Sequence, residues 1–248
     1  MTNSVDYAFL HGGGQGGWVW SETIAALHQQ AGSRSIRTVV LDVPGCGSKR
    51  GRETAMMDMS HIVAELLTDL SATGFKDIIL VGHSQAGNLL PRMAEKIPSL
   101  LRRLVYVSCA IPLPGQTMLQ MIGTGLHGSN PDEVGWPFDP KLVDARERYP
   151  RMFCNDMTEA QASSFLAKLG QDAWPSRSYA ATDWRERPLN TIPTSYVVCL
   201  KDQILPVQWQ ETFAARFGAQ KLVHIDAGHQ VMNTRPHALA EVLHYEAA

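Results

Sequence analysis

The chain is predicted to form an α/β domain, with a mostly parallel six-stranded sheet flanked by helices and a helical cap inserted between two strands. Three observations support this fold class. Six short apolar runs are mostly continuous, as expected for parallel strands that helices cover on both faces. Helical patterns separate most of these runs. One long stretch, rich in proline and aromatic residues, then interrupts the alternation of strand and helix.

Each element can be placed in order along the chain. The predicted strands cover residues 5–10, 38–41, 78–81, 104–107, 194–200 and 221–225. Ser60 is the predicted N-cap of a helix through residues 62–70, which Gly74 would end because glycine favours the C′ position. A second helix is predicted to follow Ser84. The apolar residues of this second helix lie at 89–93. Two later helices are predicted near residues 207–217 and 236–245.

The stretch between the fourth and fifth strands is predicted to be an inserted cap. We assign residues 111–193 to this cap and residues 1–110 and 194–248 to the sheet core. A capping box at Thr158–Gln161 signals a helix within the cap. Aromatic side chains there suggest an apolar or aromatic substrate, although such residues also pack cores. The aromatic residues expected to line the site are Trp136, Phe138, Phe153, Trp174 and Trp184.

Bulk properties exclude several classes of function. Lys and Arg number 22 against 24 Asp and Glu, so the net charge of −2 gives no general attraction for nucleic acid. The N-terminal residues lack a signal-peptide pattern, and no apolar run approaches the roughly 20 residues of a membrane helix. Cys109 and Cys199 lie in apolar runs, and no metal-type cysteine spacing occurs. We expect a cytoplasmic protein that acts on a small molecule and holds no metal. A homodimer is possible from the sequence.

The glycine-rich segment after the first strand allows two functional interpretations. The spacing of Gly12, Gly14 and Gly17 satisfies the G-x-G-x-x-G fingerprint of dinucleotide-binding proteins, although no Y-x-x-x-K pair accompanies it. Alternatively, glycines after a strand let the backbone approach a substrate and direct an N–H at a developing oxyanion, with Gly13 as the best donor and Gly12 beside it. A tight turn without a ligand is the third option.

The third strand leads into a small-x-Ser-x-small turn, formed by Gly82, His83, Ser84, Gln85 and Ala86. A nucleophilic serine on a strained strand-to-helix turn requires small flanking residues, because the backbone crowds them. Ser84 is therefore the predicted nucleophile. The backbone N–H of Gln85 is the predicted second oxyanion donor, and His83 is a candidate substrate contact. A serine that caps a helix is the alternative.

A serine hydroxyl needs a base and an orienting carboxylate, and both follow later strands in the required order. Asp202 lies just beyond the fifth strand, and His229 follows the sixth on a loop from which it can reach Ser84. We predict that His229 is the base and Asp202 its orienting partner. Asp226 is the alternative orienter. His11 and His83 are expected to be structural rather than to move protons, and His224, within its strand, to be packed or solvent-facing.

With these residues assembled, the chain resembles the α/β-hydrolase superfamily over nearly its full length. The early glycine loop, the segment Asp42-Val-Pro-Gly-Cys-Gly-Ser48 and the histidine loop are similar to those of small bacterial esterases, plant methylesterases and hydroxynitrile lyases. Lyases of this branch generally carry an acidic residue before the nucleophile and a lysine after the histidine, where this chain has His83 and Gln230. The resemblance therefore implies cofactor-free ester hydrolysis through an acyl-enzyme rather than cyanohydrin cleavage.

The resemblance leaves other functions open. Related scaffolds support amide or carbamate hydrolysis, hydroxynitrile-lyase chemistry and cofactor-free oxygenation, and sequence alone does not separate these reactions. A non-catalytic ligand receptor that uses the capped pocket is the alternative from a different class. The dinucleotide-binding interpretation predicts a dehydrogenase that binds NAD or NADP.

Overall fold

The computed structural model describes residues 4–184 and 191–247. Six strands form one sheet in the order β2-β1-β3-β4-β5-β6, and every neighbouring pair is parallel. The predicted six-stranded α/β fold is confirmed, and the described sheet is parallel throughout. The strands are β1 (Val5–Leu10), β2 (Ile36–Leu41), β3 (Ile78–His83), β4 (Leu101–Val107), β5 (Thr194–Cys199) and β6 (Lys221–Ile225).

Helices connect the strands and cover both faces of the sheet. They are α1 (Ser21–Gln30), α2 (Met59–Ala72), α3 (Leu90–Lys96), α4 (Met118–Ile122), α5 (Ala145–Phe153), α6 (Glu159–Leu166), α7 (Val207–Arg216), α8 (Val231–Thr234) and α9 (Pro236–Glu246). Within the two described ranges, none of them combines the length and apolar character that a membrane-spanning helix needs.

Two helix boundaries differ from the sequence prediction. Asp58, not Ser60, is the N-cap of α2, because its carboxylate accepts the backbone N–H groups of Ser60 and His61. Ser60 therefore lies in the first turn. The turn after the third strand is a 3₁₀ helix, Ser84–Asn88, and the α-helix begins only at Leu90. Ser84 is the first residue of this 3₁₀ turn and follows the last residue of β3 directly.

The central strands are buried on both faces, which explains their continuous apolar sequence. In β1, Ala8 and Leu10 pack into one core cluster, whereas Tyr7 and Phe9 pack into the other. Side chains of β3 and β4 alternate in the same way. Helices α2, α3 and α7 contribute to the first cluster, and α1 and α9 to the second. This two-sided burial fixes the sheet, and its carboxyl-terminal edge becomes a rigid base for the loops.

Residues 111–193, here named the cap segment, contain α4, α5, α6 and a 3₁₀ helix, Ser176–Ala180. The predicted capping box at the start of α6 is present, with reciprocal bonds between Thr158 and Gln161. The segment packs into both core clusters, through residues such as Met121 in one and Phe165 in the other. Residues 185–190 of the predicted cap lie outside the described residues.

Candidate active site

Three loops that follow parallel strands bring Ser84, Asp202 and His229 together. Ser84 follows β3, Asp202 follows β5 and His229 follows β6, so all three lie at the carboxyl-terminal edge of the sheet. The His229 Nε2 atom lies 3.0 Å from the Ser84 hydroxyl oxygen, and Nδ1 lies 2.6 Å from Asp202 Oδ2. This is hydrogen-bond geometry at both ends of the imidazole, as a serine nucleophile with its base and orienting acid requires.

The backbone at Ser84 is held in a conformation that few non-glycine residues adopt. Its φ is +54°, in the left-handed region. A Cβ added at Gly82 would lie 2.4 Å from a Leu90 methyl carbon and 3.1 Å from the Cβ of Ala86. The departure from glycine at Ala86 is tolerated because its methyl group faces Gly82. Small residues on both sides of Ser84 are therefore a steric requirement of this turn.

Asp202 is a buried carboxylate with four hydrogen-bond donors. Its Oδ1 atom accepts the backbone N–H groups of Ile204 at 2.7 Å and Leu205 at 2.9 Å. Its Oδ2 atom accepts His229 Nδ1 and, at 2.5 Å, the hydroxyl of Ser108. These donors fix the orientation of the carboxylate, so that His229 carries its proton on Nδ1 and presents an unprotonated Nε2 to Ser84.

Ser108 is a residue that sequence reasoning missed. It follows β4 directly, has a φ of +42°, and lies 3.5 Å from His229 Nδ1 through its hydroxyl oxygen. Its place at the end of a central strand was the available signal. The alternative orienter, Asp226, has a side chain that is 66% exposed and pairs with Lys201 at 2.7 Å instead of with His229.

His83 forms a hydrogen bond with the backbone of the loop that carries His229. Its ring is fully buried, and Nε2 donates to the backbone carbonyl of His229 at 2.9 Å. Burial, followed by the neighbouring charge of His229, holds the pKa of His83 well below its usual range. A neutral His83 fixes the backbone of the base without competing for the Ser84 proton.

The connection between α5 and α6 forms hydrogen bonds with both loops that carry Asp202 and His229. Asp156 Oδ2 accepts the backbone N–H of Gly228 at 2.9 Å, next to His229. Asn155 donates to the carbonyl of Lys201 at 2.8 Å, next to Asp202. A Cβ at Gly228 would lie within 2.6 Å of both side chains, so glycine is needed for this approach.

A cavity of about 390 Å³ opens beside Ser84 and His229. The predicted oxyanion donors Gly13 and Gln85 both line it, and a Cβ at Gly13 would lie 2.2 Å from Gln85 Oε1. Tyr179 donates to that same oxygen at 3.3 Å. Most other lining residues are apolar and come from the cap segment, including Met118, Val134, Trp136, Met152, Phe153 and Leu169.

Of the seven predicted substrate contacts, two line this cavity and five lie elsewhere. Trp136 and Phe153 line the cavity. Phe138 instead stacks under the Arg151 guanidinium at 4.1 Å, and Trp184 packs in the core. Trp174 is also buried, with its indole N–H bonded to a backbone carbonyl. Gly12 and His83 do not line this cavity: a Cβ at Gly12 would lie 2.9 Å from the Ser84 Cβ, and the buried His83 ring bonds to the backbone of His229.

The dinucleotide interpretation of the glycine loop does not agree with the structure. Both oxygens of Asp42, the acidic residue after the second strand, are occupied by protein donors: Gly17 N–H on Oδ1, and the N–H and hydroxyl of Ser48 on Oδ2. A Cβ at Gly17 would lie 2.0 Å from a Val40 methyl carbon, so this glycine serves packing. Within residues 4–184 and 191–247, no cluster of three or more His, Cys, Asp or Glu side chains could hold a metal ion.

Comparisons with known proteins bear on the family of this chain. A family model described as alpha/beta hydrolase family matches residues 8–242. The carbendazim hydrolyzing esterase of Nocardioides sp. (strain SG-4G) is 26% identical over 249 residues, covering 96% of this chain and 98% of the relative. Polyneuridine aldehyde esterase of Rauvolfia serpentina is 22% identical over 254 residues, covering 96% and 93%.

Solved structures extend the comparison to the fold. A pyrethroid hydrolase from Sphingobium faniae JZ-2 superposes with a TM-score of 0.75 at 22% identity, covering 99% of this chain and 98% of that chain. A methylesterase from Arabidopsis superposes with a TM-score of 0.74 at 19% identity, covering 97% and 98%. At these identities the likeness concerns the fold, which is shared over nearly the whole of each chain.

Proposed function

The chain belongs to the alpha/beta hydrolase family, and from this premise we propose that Ser84, His229 and Asp202 are the catalytic triad of an esterase. Both of the relatives named above are esterases, which supports ester hydrolysis as the activity of this chain. One observation carries the assignment of residues. The hydrogen-bond chain from the Ser84 hydroxyl through both imidazole nitrogens to Asp202 is what general-base activation of a serine needs.

In the proposed mechanism, Ser84 Oγ attacks the ester carbonyl carbon while His229 Nε2 takes the hydroxyl proton. Asp202 stabilises the imidazolium that forms and keeps its orientation. The carbonyl oxygen becomes an oxyanion, which accepts the backbone N–H groups of Gly13 and Gln85. His229 then donates its proton to the leaving alcohol, and an acyl group remains on Ser84. Water, activated by the same imidazole, releases the acid and restores the enzyme.

We assign an apolar substrate group to the cavity. Cap-segment residues supply most of its outer wall, and their side chains are aliphatic or aromatic. Burying such surfaces favours an aliphatic or aromatic group on the ester by about 25 cal/mol per Å² of apolar area. We therefore propose that residues 111–193 act as a substrate-binding cap. Amide and carbamate hydrolysis would use the same residues, so the substrate panel must include them.

Replacing Ser84 by Ala tests this function. With para-nitrophenyl esters of increasing acyl length, we expect kcat to fall by more than about 10⁴-fold and labelling by a fluorophosphonate to stop. Ser71→Ala, on the exposed face of α2, is the matched control and should leave both unchanged. An unchanged thermal midpoint would show that the fold is retained. Ester turnover that survives in Ser84→Ala rejects the proposal.

The same assay separates the rival activities. Turnover is compared across a panel of esters, lactones, amides and carbamates, which shows the class of bond that the enzyme cleaves best. The panel includes carbendazim, because a relative is named for its hydrolysis. Product analysis with and without oxygen identifies an oxygenase, and release of cyanide from a cyanohydrin identifies a lyase. Tight ligand binding with neither labelling nor turnover would instead favour a receptor.

A further inference from the structure

The carbonyl oxygen of Gly12 accepts hydrogen bonds from two buried side chains. The indole Nε1 of Trp174 donates at 3.2 Å, and His11 Nδ1 lies 2.9 Å away. The backbone N–H of Val43 donates to His11 Nε2 at 3.2 Å, so the His11 proton must be on Nδ1, which donates to Gly12. Burial lowers the pKa of His11, and the neutral ring keeps this tautomer.

This carbonyl belongs to the same peptide group as the N–H of Gly13. The peptide group is planar and trans, so its N–H points opposite to its carbonyl. Gly12 is buried, whereas Gly13 is partly exposed and lines the cavity beside Ser84. Donors that hold the carbonyl on the buried side therefore direct the N–H toward the cavity.

We propose that Trp174 is a positioning residue for the oxyanion hole, whose indole N–H, together with His11, fixes and polarises the peptide that presents the Gly13 N–H. The inference rests on the proposed function, because it requires Ser84 to attack a carbonyl. A hydrogen bond accepted by a peptide carbonyl strengthens the N–H of the same group as a donor. Trp174 thus acts on the transition state without touching substrate.

The backbone around Trp174 is anchored well enough for this role. Asp172, whose side chain is fully buried, accepts both Nε and Nη2 of Arg50 at 2.9 Å, and the indole N–H of Trp18 at 3.0 Å. The backbone N–H of Gly170 donates to the carbonyl of Gly14 at 3.1 Å. Residues 170–174 therefore form a fixed brace along the glycine loop, and their contribution to the site is geometric.

Trp174→Phe removes the N–H and keeps most of the ring, and Trp184→Phe is its matched control. Both tryptophans belong to the cap segment and are 4% and 3% exposed, but Trp184 Nε1 has no hydrogen-bond partner among the described residues. The substrate is para-nitrophenyl acetate. The transition-state probe is trifluoroacetophenone. Ser84 Oγ adds to its carbonyl carbon, the hydroxyl proton of Ser84 moves to His229, and the carbonyl oxygen becomes the anion. Acetophenone, which stays uncharged, reports ground-state binding.

We expect Trp174→Phe to lower kcat/KM about 5- to 20-fold, less than the roughly 10²- to 10³-fold effect of losing a whole oxyanion donor, because His11 still holds the carbonyl. The inhibition constant of trifluoroacetophenone should rise by the same factor, while that of acetophenone stays within about twofold. Trp174→His, which restores an N–H on a smaller ring, should recover part of the loss. Trp184→Phe should leave all of these values unchanged.

Other outcomes overturn the inference. Equal effects in Trp174→Phe and Trp184→Phe would assign the loss to packing, as would a parallel weakening of acetophenone with a lowered thermal midpoint. Unchanged kinetics in Trp174→Phe, in an enzyme whose turnover depends on Ser84, would reject the positioning role alone. A wild-type protein without Ser84-dependent turnover would reject the proposed function and the inference together.

Discussion

Replacing Asp202 by Asn should invert the tautomer of His229 while leaving the fold intact. The two backbone N–H groups of Ile204 and Leu205 require an acceptor at the Oδ1 position, so the amide oxygen will lie there. The amide NH₂ then takes the place of Oδ2, 2.6 Å from His229 Nδ1. Because an amide NH₂ only donates, Nδ1 must accept, and the ring proton moves to Nε2.

The size of the effect follows from these contacts. With its proton on Nε2, the imidazole faces the Ser84 hydroxyl across 3.0 Å and has no lone pair to accept the proton. Rotating the amide restores the correct tautomer but leaves the two backbone donors unpaired, at about 1–3 kcal/mol each. We expect kcat to fall about 10⁴-fold, which corresponds to about 5.4 kcal/mol of transition-state stabilisation.

The assay is steady-state hydrolysis of a para-nitrophenyl ester, with the thermal midpoint measured in parallel. Asp226→Asn is the matched control, because that carboxylate lies on the neighbouring loop but is exposed and paired with Lys201. It should change kcat by less than about twofold, as expected for an exposed ion pair whose side chains make no hydrogen bond to Ser84, His229 or Asp202. If Asp202→Asn retained more than a tenth of the activity, or Asp226→Asn lost as much, the orienting role of Asp202 would be refuted.

Two further predictions concern stability. A Cβ at Gly87 would lie 2.5 Å from the carbonyl oxygen of Ala110 and 2.9 Å from the Phe217 ring, so Gly87→Ala should lower the free energy of unfolding by about 1–3 kcal/mol in urea titrations; an unchanged midpoint would contradict this packing. Asp172 loses solvation by burial, yet hydrogen bonds from Arg50 and Trp18 outweigh that cost and lower its pKa. A carboxyl group whose pKa is lowered by folding stabilises the fold at pH values above its ordinary pKa of about 3.9, and this stabilisation is lost as pH falls through its pKa in the folded protein. Asp172→Asn should therefore flatten the acid limb of a plot of unfolding free energy against pH. Parallel plots for the two proteins would contradict this prediction.

The sequence was sufficient for the features that depend on local rules. Continuous apolar runs identified the six strands within a few residues, because burial on both faces leaves little freedom of composition. The turn around Ser84 was predictable since its steric demands fall on adjacent positions. Asp202 and His229 could be placed because each follows a strand, and the ends of parallel strands meet at one edge of the sheet.

Features that depend on long-range contacts were not predictable. The Ser108 hydroxyl joins the Asp202 carboxylate across 94 positions of sequence, and Trp174 reaches Gly12 across 162. The position of Ser108 directly after β4 places it at the correct edge of the sheet, but no local pattern encodes either bond. Five aromatic residues of the cap segment looked alike in sequence, yet Trp136 lines the cavity while Trp184 packs in the core. Their orientation depends on tertiary packing, which single-sequence patterns do not specify.

These long-range contacts bear on how the site is kept in register. The sheet edge fixes where each catalytic loop begins, but the loops then run several residues before reaching Asp202 and His229. Bonds from Asn155 and Asp156 hold the backbone next to both residues, and the brace at residues 170–174 holds the opposing glycine loop. Both anchors come from the cap segment. Catalytic geometry needs placement within about 0.5 Å, so we expect the segment that lines most of the cavity also to contribute to the alignment of Asp202, His229 and the Gly13 N–H.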